Sequence, residues 1–132
     1  MKVTFLDHQD RGNPLNGTEI VSRDALSGAL DGLRVREPFF CEIVSENGFK
    51  LLLGVGADCS CVQHSPSDGS TPYLMAVNDP GGSVDEFKEF LTANTLTPVP
   101  KRYCLSFDRM KEIALHFLES GDRAPSVTWE EI

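Results

Sequence analysis

The side chains able to carry chemistry crowd into one stretch, Gly54 to Asp68. Cys59, Cys61 and His64 are metal-ligand types. Structural zinc sites, however, use two ligand pairs, usually with a wider gap than the single residue found here. One intervening residue puts both sulfurs on the same face of a strand, and no second pair exists, so the reading is buried free thiols and no metal. His64, Ser65 and Asp68 are the residue types of a hydrolytic triad. They share a single turn, in which one side chain cannot orient the next in line. No Gly-x-Ser-x-Gly elbow is present, and a hydrogen-bonded turn accounts for the three residues. Gly54-x-Gly56 lacks the third glycine and the lysine of a phosphate cradle and reads as a bend at a strand end. His8 and His116 stand alone, with His116 on the polar flank of a helix. Glu130 and Glu131 are adjacent in an extended tail, so they point to opposite sides and form no acid–base pair. The expectation is a chain with no catalytic residue and no cofactor.

The charge suggests a different kind of work. Twenty acidic residues against 12 basic ones leave a net charge of −8 over 132 residues. Such a surface repels phosphate backbones and anionic lipid, which argues against nucleic acid or membrane as the direct ligand. It favours a basic protein surface, because opposite fields speed encounter. Plain solubility is the competing account. The acidic positions Asp68, Asp85, Glu86 and Glu89 are the candidates for meeting a partner's lysines and arginines; otherwise they are solvated. Trp129, the one tryptophan, either packs over the core and pins the C-terminal tail or serves as a binding anchor.

The length predicts one domain, 1–132, able to bury a core without staples. The N-terminal run has no stretch suited to a secretory signal, and nothing approaches the roughly 20 apolar residues of a membrane span. A cytoplasmic location is therefore expected, with Cys41, Cys59, Cys61 and Cys104 as reduced thiols. The pattern predicts a first strand over 2–6 and then a turn-rich stretch. A helix over 23–33 follows, capped by Ser22, with Leu26, Ala29, Leu30 and Leu33 on one face. Phe39, Cys41 and Ile43 share a strand face. Asn47-Gly48 predicts a hairpin turn with positive φ at both residues, returning through 49–55. Further strands are expected over 59–64 and 72–77, ended by Asp79-Pro80-Gly81-Gly82, and a short one over 101–105. Val84, Phe87 and Leu91 are spaced as one helix face. Ser106 caps the clearest helix, 107–120, with Met110, Ile113, Ala114, Phe117 and Leu118 along one side and Gly121 as its stop. The face carrying Met110, Ile113, Ala114 and Phe117 should meet Leu26, Leu30, Phe39, Ile43, Leu52 and Tyr73. The fold class is α+β: an antiparallel sheet of about five or six strands with two helices packed on one face.

Several of these segments together resemble a known family. They are Glu86-Phe87 with Phe90-Leu91, Thr97-Pro98-Val99-Pro100, Arg102-Tyr103-Cys104-Leu105, His116 to Arg123, and Val127-Thr128-Trp129-Glu130-Glu131-Ile132. The run Val62-Gln63-His64-Ser65, with Asp68-Gly69 and Pro72-Tyr73-Leu74, belongs to the same likeness. The chain resembles, over about residues 40–132, the Imm-one family of immunity proteins from bacterial polymorphic toxin systems. The resemblance implies a single α+β domain that binds a co-encoded toxin, often a nucleic-acid deaminase. It also implies a strand over 86–91, and that expectation is carried forward. The deaminase zinc signature is absent, so the chain would be the antidote and not the poison. A small hydrolytic enzyme using His64, Ser65 and Asp68, and a ligand-binding module with the Gly54–Gly56 bend at its pocket mouth, are the alternatives.

Overall fold

The computed structural model describes residues 1–77 and 82–132. The strands are β1 (Val3–Asp7), β2 (Glu19–Ile20), β3 (Phe39–Ser45), β4 (Phe49–Val55), β5 (Cys61–Pro66), β6 (Leu74–Val77), β7 (Phe87–Thr92), β8 (Thr95–Pro100) and β9 (Thr128–Glu131). The helices are α1 (Arg23–Leu33) and α2 (Phe107–Ser120). The class is α+β as expected, but among the described residues the sheet has nine strands, more than the five or six anticipated. Its main path runs β2-β1-β3-β4-β5-β6-β9. Only β7 joins in parallel, through the single rung Phe39↔Leu91.

Alternation along the strands gives the sheet two covered faces. Phe39, Cys41, Ile43, Leu51, Leu53, Val62 and Ala76 pack with the buried stripes of α1 and α2. Phe40, Leu52, Cys61, Met75 and Val77 project to the other side, where Phe90, Val99 and Tyr103 close over them. Leu52 was expected beneath the helices. It sits one residue out of step with Leu51 and Leu53, so it belongs to the second face, and Tyr73 lies outside both clusters.

The helix termini follow local chemistry. Ser22 Oγ accepts the Ala25 N–H and Ser106 Oγ accepts the Arg109 N–H, each at 3.1 Å. Gly121 ends α2 at φ 73°, donating its N–H to Phe117 O at 2.7 Å. A Cβ there would lie 2.5 Å from Asn47 Nδ2. That amide donates to Gly121 O and ties the β3–β4 turn to the end of α2.

Two local expectations are corrected, a third is decided in favour of the strand, and two strands are new. The β3–β4 loop comprises Glu46, Asn47 and Gly48, and only Gly48 has positive φ, so it is not the two-residue turn expected at Asn47-Gly48. Residues 101–103 form a 3-10 turn instead of a strand, leaving Leu105 with one isolated bridge to Ser60. Residues 87–92 are the strand that the family likeness implied, not the helix face suggested by spacing. β2 and β8 were not anticipated. The turn expected at Asp79, Pro80 and Gly81 lies outside the described residues.

The β7–β8 hairpin packs over the second face of the sheet. Its two-residue loop, Ala93 and Asn94, has φ of 49° and 67°, the geometry that suits the twist of a tight hairpin. Neither residue is glycine. The conformation is held from outside by Gln9, whose side-chain amide exchanges hydrogen bonds with Asn94 at 2.7 and 2.8 Å. Counting from the closing Thr92↔Thr95 pair, the hydrogen-bonded rungs are Phe90↔Thr97 and Lys88↔Val99. Pro98 and Pro100 fall on the alternate rungs, opposite Glu89 and Phe87, so the ladder loses no donor.

Candidate functional site

The stretch that looked chemical does not assemble. His64 and Ser65 are successive residues of β5 and point to opposite faces, both buried. The His64 ring stacks on Phe49 at 5.1 Å and meets Phe117 and Trp129 edge-on. Ser65 Oγ donates to the neighbouring Pro66 carbonyl. Asp68 Oδ1 accepts the Ser70 N–H in the exposed β5–β6 loop. The three residues therefore share no hydrogen bond.

Cys59 is joined to Cys104 in a disulfide, with Cα atoms 5.1 Å apart. This corrects the expectation of four reduced thiols; Cys41 and Cys61 remain free and buried. Among the described residues no group of His, Cys, Asp and Glu could hold a metal ion. Gly54 lies where a Cβ would meet Cys61 Sγ at 2.5 Å and the Phe90 ring at 2.9 Å. Gly56 exchanges hydrogen bonds with the Ser60 hydroxyl, so this glycine pair shapes a bend beneath Phe90.

Two buried carboxylates organise polar networks. Asp7 accepts from Arg36 Nη1 at 2.6 Å, from Asn13 Nδ2 at 3.0 Å, and from the N–H groups of Gln9 and Asp10 at 2.8 Å. Burial opposes its ionisation, but these donors outweigh that cost and hold its pKa below the ordinary carboxylate value. Glu42, on the helix-free face, pairs with His8 Nε2 at 3.2 Å and Lys50 Nζ at 3.3 Å. The His8 bond, against burial and with help from Lys50, keeps its pKa low. His8 is thus in hydrogen-bonding contact with Glu42 and not the isolated residue expected.

His64 shifts in the sense of a buried base. Burial first, and then the charge of Arg123, depress its pKa below 6.5 against the opposing pull of Asp122. All three shifts have the same consequence for stability. The unfolded chain binds protons that the folded chain refuses, so stability falls as the solution is acidified. The His64 contribution is complete above pH 6.5 and fades below it. Those of Asp7 and Glu42 are complete above the ordinary carboxylate values and fade as pH falls through their lower folded ones. Urea midpoints measured from pH 7.5 to 3 should decline in these two windows. His64→Leu should flatten the upper one; an unchanged slope between pH 6.5 and 5 would refute the assignment.

The candidate partner residues separate in space. Asp68 lies by the β3–β4 turn, where Ser67 N–H reaches Gly48 O. Asp85, Glu86 and Glu89 lie together at the opposite end of the sheet, all exposed, on the approach to β7 and on β7 itself. Glu89 shares a concavity there with Asp58, Cys59 and Lys88. Trp129 is half-buried against the core, its indole N–H donating to Ala124 O at 2.9 Å, and it pins β9. Glu130 accepts from Arg102 Nη2 at 2.6 Å and from the Tyr103 hydroxyl at 2.9 Å. It fastens β9 to the turn that follows β8 and is not simply solvated.

Sequence reasoning missed the apolar members of this region. Val84, Phe87 and Leu96 are 57%, 52% and 55% exposed around the acidic residues. The signal was the alternation Phe87-x-Glu89-x-Leu91, which competed with a helical spacing through Val84. Behind the hairpin lies a cleft of about 220 Å³, lined by Phe40, Leu52, Gln63, Met75, Val99 and Tyr103 among others, with no charged side chain. No helix among the described residues is long and apolar enough to cross a membrane. In comparisons with protein-family models and with curated proteins, the chain matches none.

Proposed function

We propose that this chain is an immunity protein. It binds a cognate bacterial toxin domain that acts on nucleic acid, a deaminase being the type case, and neutralises it in the cytoplasm by covering its active site. The observation that carries this reading is where the surplus negative charge resides. Lys2, Arg23, Arg36, Lys50, Lys101, Arg102, Arg109 and Lys111 are each held in an ion pair with a carboxylate of the same chain. Local pairing consumes most of the positive charge. Asp58, Asp68, Asp85 and Glu89 stay exposed with no ion pair among the described residues. An enzyme that grips a phosphate backbone needs a basic groove, and such carboxylates compete for it. The resemblance of segments in β5, β7, β8, α2 and β9 to immunity proteins is in keeping with this reading.

The test is binding. Mixed with the toxin domain encoded by the adjacent reading frame, the purified chain should co-elute as a heterodimer. An interface of ordinary size buries about 1,200–2,000 Å² in total. Nanomolar affinity corresponds to about −12 kcal/mol. Raising salt from about 0.05 to 0.5 M should slow association roughly tenfold or more, because exposed charges steer encounter. Elution of the two proteins apart would overturn the proposal.

A further inference from the structure

We infer that the outer face of the β7–β8 hairpin is the surface that meets the toxin, and that its occupant is a cationic segment carrying a large apolar side chain. This rests on the immunity reading above and names the place and the chemistry of contact.

Register supplies the geometry. Phe87 faces Pro100, Glu89 faces Pro98 and Leu91 faces Leu96, so all six project to one side of the hairpin. The alternate residues Phe90 and Val99 project to the other side and are buried against the sheet. One hairpin face is therefore spent on the core. On the other, Leu91 is partly buried against the helix-side core, while Phe87 and Leu96 are exposed, with Val84 just ahead of the strand. Val21 and Val35 are more exposed still, but neither belongs to the hairpin. A local apolar strip bordered by charge is the composition of a recognition surface.

Charge selects the occupant. Asp58, Asp85, Glu86 and Glu89 border the strip, against Lys88, Lys101 and Arg36; Lys101 is already engaged with Glu86 at 2.8 Å and Arg36 with Asp7 at 2.6 Å. The local balance is negative and complements a basic surface. A second copy of the chain, itself at −8, would be repelled, as would anionic lipid. Strand addition to the free β8 edge is also disfavoured. Pro98 and Pro100 occupy the rungs whose N–H would point outward, so docking uses the hairpin face. The face is preorganised by the Gln9–Asn94 amide pair, the buried Phe90 and the Arg102–Glu130 clamp at the hairpin's base. That lowers the cost of ordering it on binding.

The experiment measures binding of the adjacent-frame toxin domain by wild type and by four variants. Phe87→Ser with Leu96→Ser should weaken the dissociation constant by about 100-fold, chiefly through faster dissociation. Asp85→Lys with Glu89→Lys should slow association by about tenfold at low salt. Val21→Ser and Glu46→Lys, on distant parts of the surface, should change affinity by less than about threefold. All four alter exposed side chains, and unchanged circular dichroism and unfolding midpoints verify their fold. Wild-type affinity in the hairpin variants would overturn this surface and leave the immunity reading standing. Failure of the wild-type chain to bind would overturn both. A dimer of the chain alone that dissolves on Phe87→Ser would reassign the face to self-association and overturn the inference.

Discussion

Replacing Phe90 with alanine is expected to cost about 4 kcal/mol of stability and to loosen the β7–β8 hairpin from the sheet. Phe90 is wholly buried. Its ring lies 5.2 Å from that of Phe40 and over Gly54, which has no side chain to obstruct it. It is the largest group joining the hairpin to the second sheet face, since β7 contributes one rung to β3. Urea unfolding should show the loss, and hydrogen exchange should show faster opening at Lys88 and Phe90 than in β4. A cycle adds a sharper check. Gly54→Ala places a methyl group against the ring and should itself destabilise by about 1–3 kcal/mol. In the Phe90→Ala background that cost should shrink by about 1 kcal/mol, the part due to the ring. Strict additivity would show that the ring and the glycine are not matched.

Opening the Cys59–Cys104 bridge is expected to cost about 4 kcal/mol at most. The bridge spans 45 residues, and that figure is the chain entropy it removes from the unfolded state. Cys59→Ser with Cys104→Ser, or addition of dithiothreitol, should lower the unfolding midpoint to the same value. Thiol counting gives an independent readout. Cys41 and Cys61 are buried, and burial pushes the Cys61 thiol up to about 12, so neither forms a thiolate readily. Alkylation of the native chain should therefore find almost no reactive cysteine. Unfolding without reductant should reveal two, and unfolding with reductant all four. Four reactive thiols before reduction would rule the bridge out. In a reducing compartment this stability difference would separate the chain's behaviour from its behaviour in air-oxidised buffer.

Legibility in the sequence tracked how local the cause was. Both helices could be read, because Ser22, Ser106 and Gly121 mark their limits and their apolar stripes keep a single period. The β3–β4–β5 meander could also be read from its alternation. β8 could not, since Thr-Pro-Val-Pro lowers strand propensity. Its prolines are tolerated only because the register with β7 puts them on rungs that need no donor. The tight turn at Ala93-Asn94 was hidden for a related reason: its backbone is supported by Gln9, 85 residues away. The Cys59–Cys104 pairing depends on Ser60 and Leu105 forming a bridge, which no spacing rule announces. Of the proposed contact residues, the acidic group Asp85, Glu86 and Glu89 was visible as charge. Phe87 and Leu96 became visible only once the hairpin assigned them a common face. Trp129 and Glu130 drew notice by type, and the fold employs both to secure the last strand.

The placement of Pro98 and Pro100 has a consequence for how the molecule can be kept. A ribbon with a bare apolar side and a free margin is the kind of element from which fibrils grow, each added copy zipping onto the last. Here two successive outward positions of that margin have no hydrogen to offer, so a growing stack would fail at its first step. This margin of the hairpin is therefore a poor template for a stacked copy, whatever its apolar side meets.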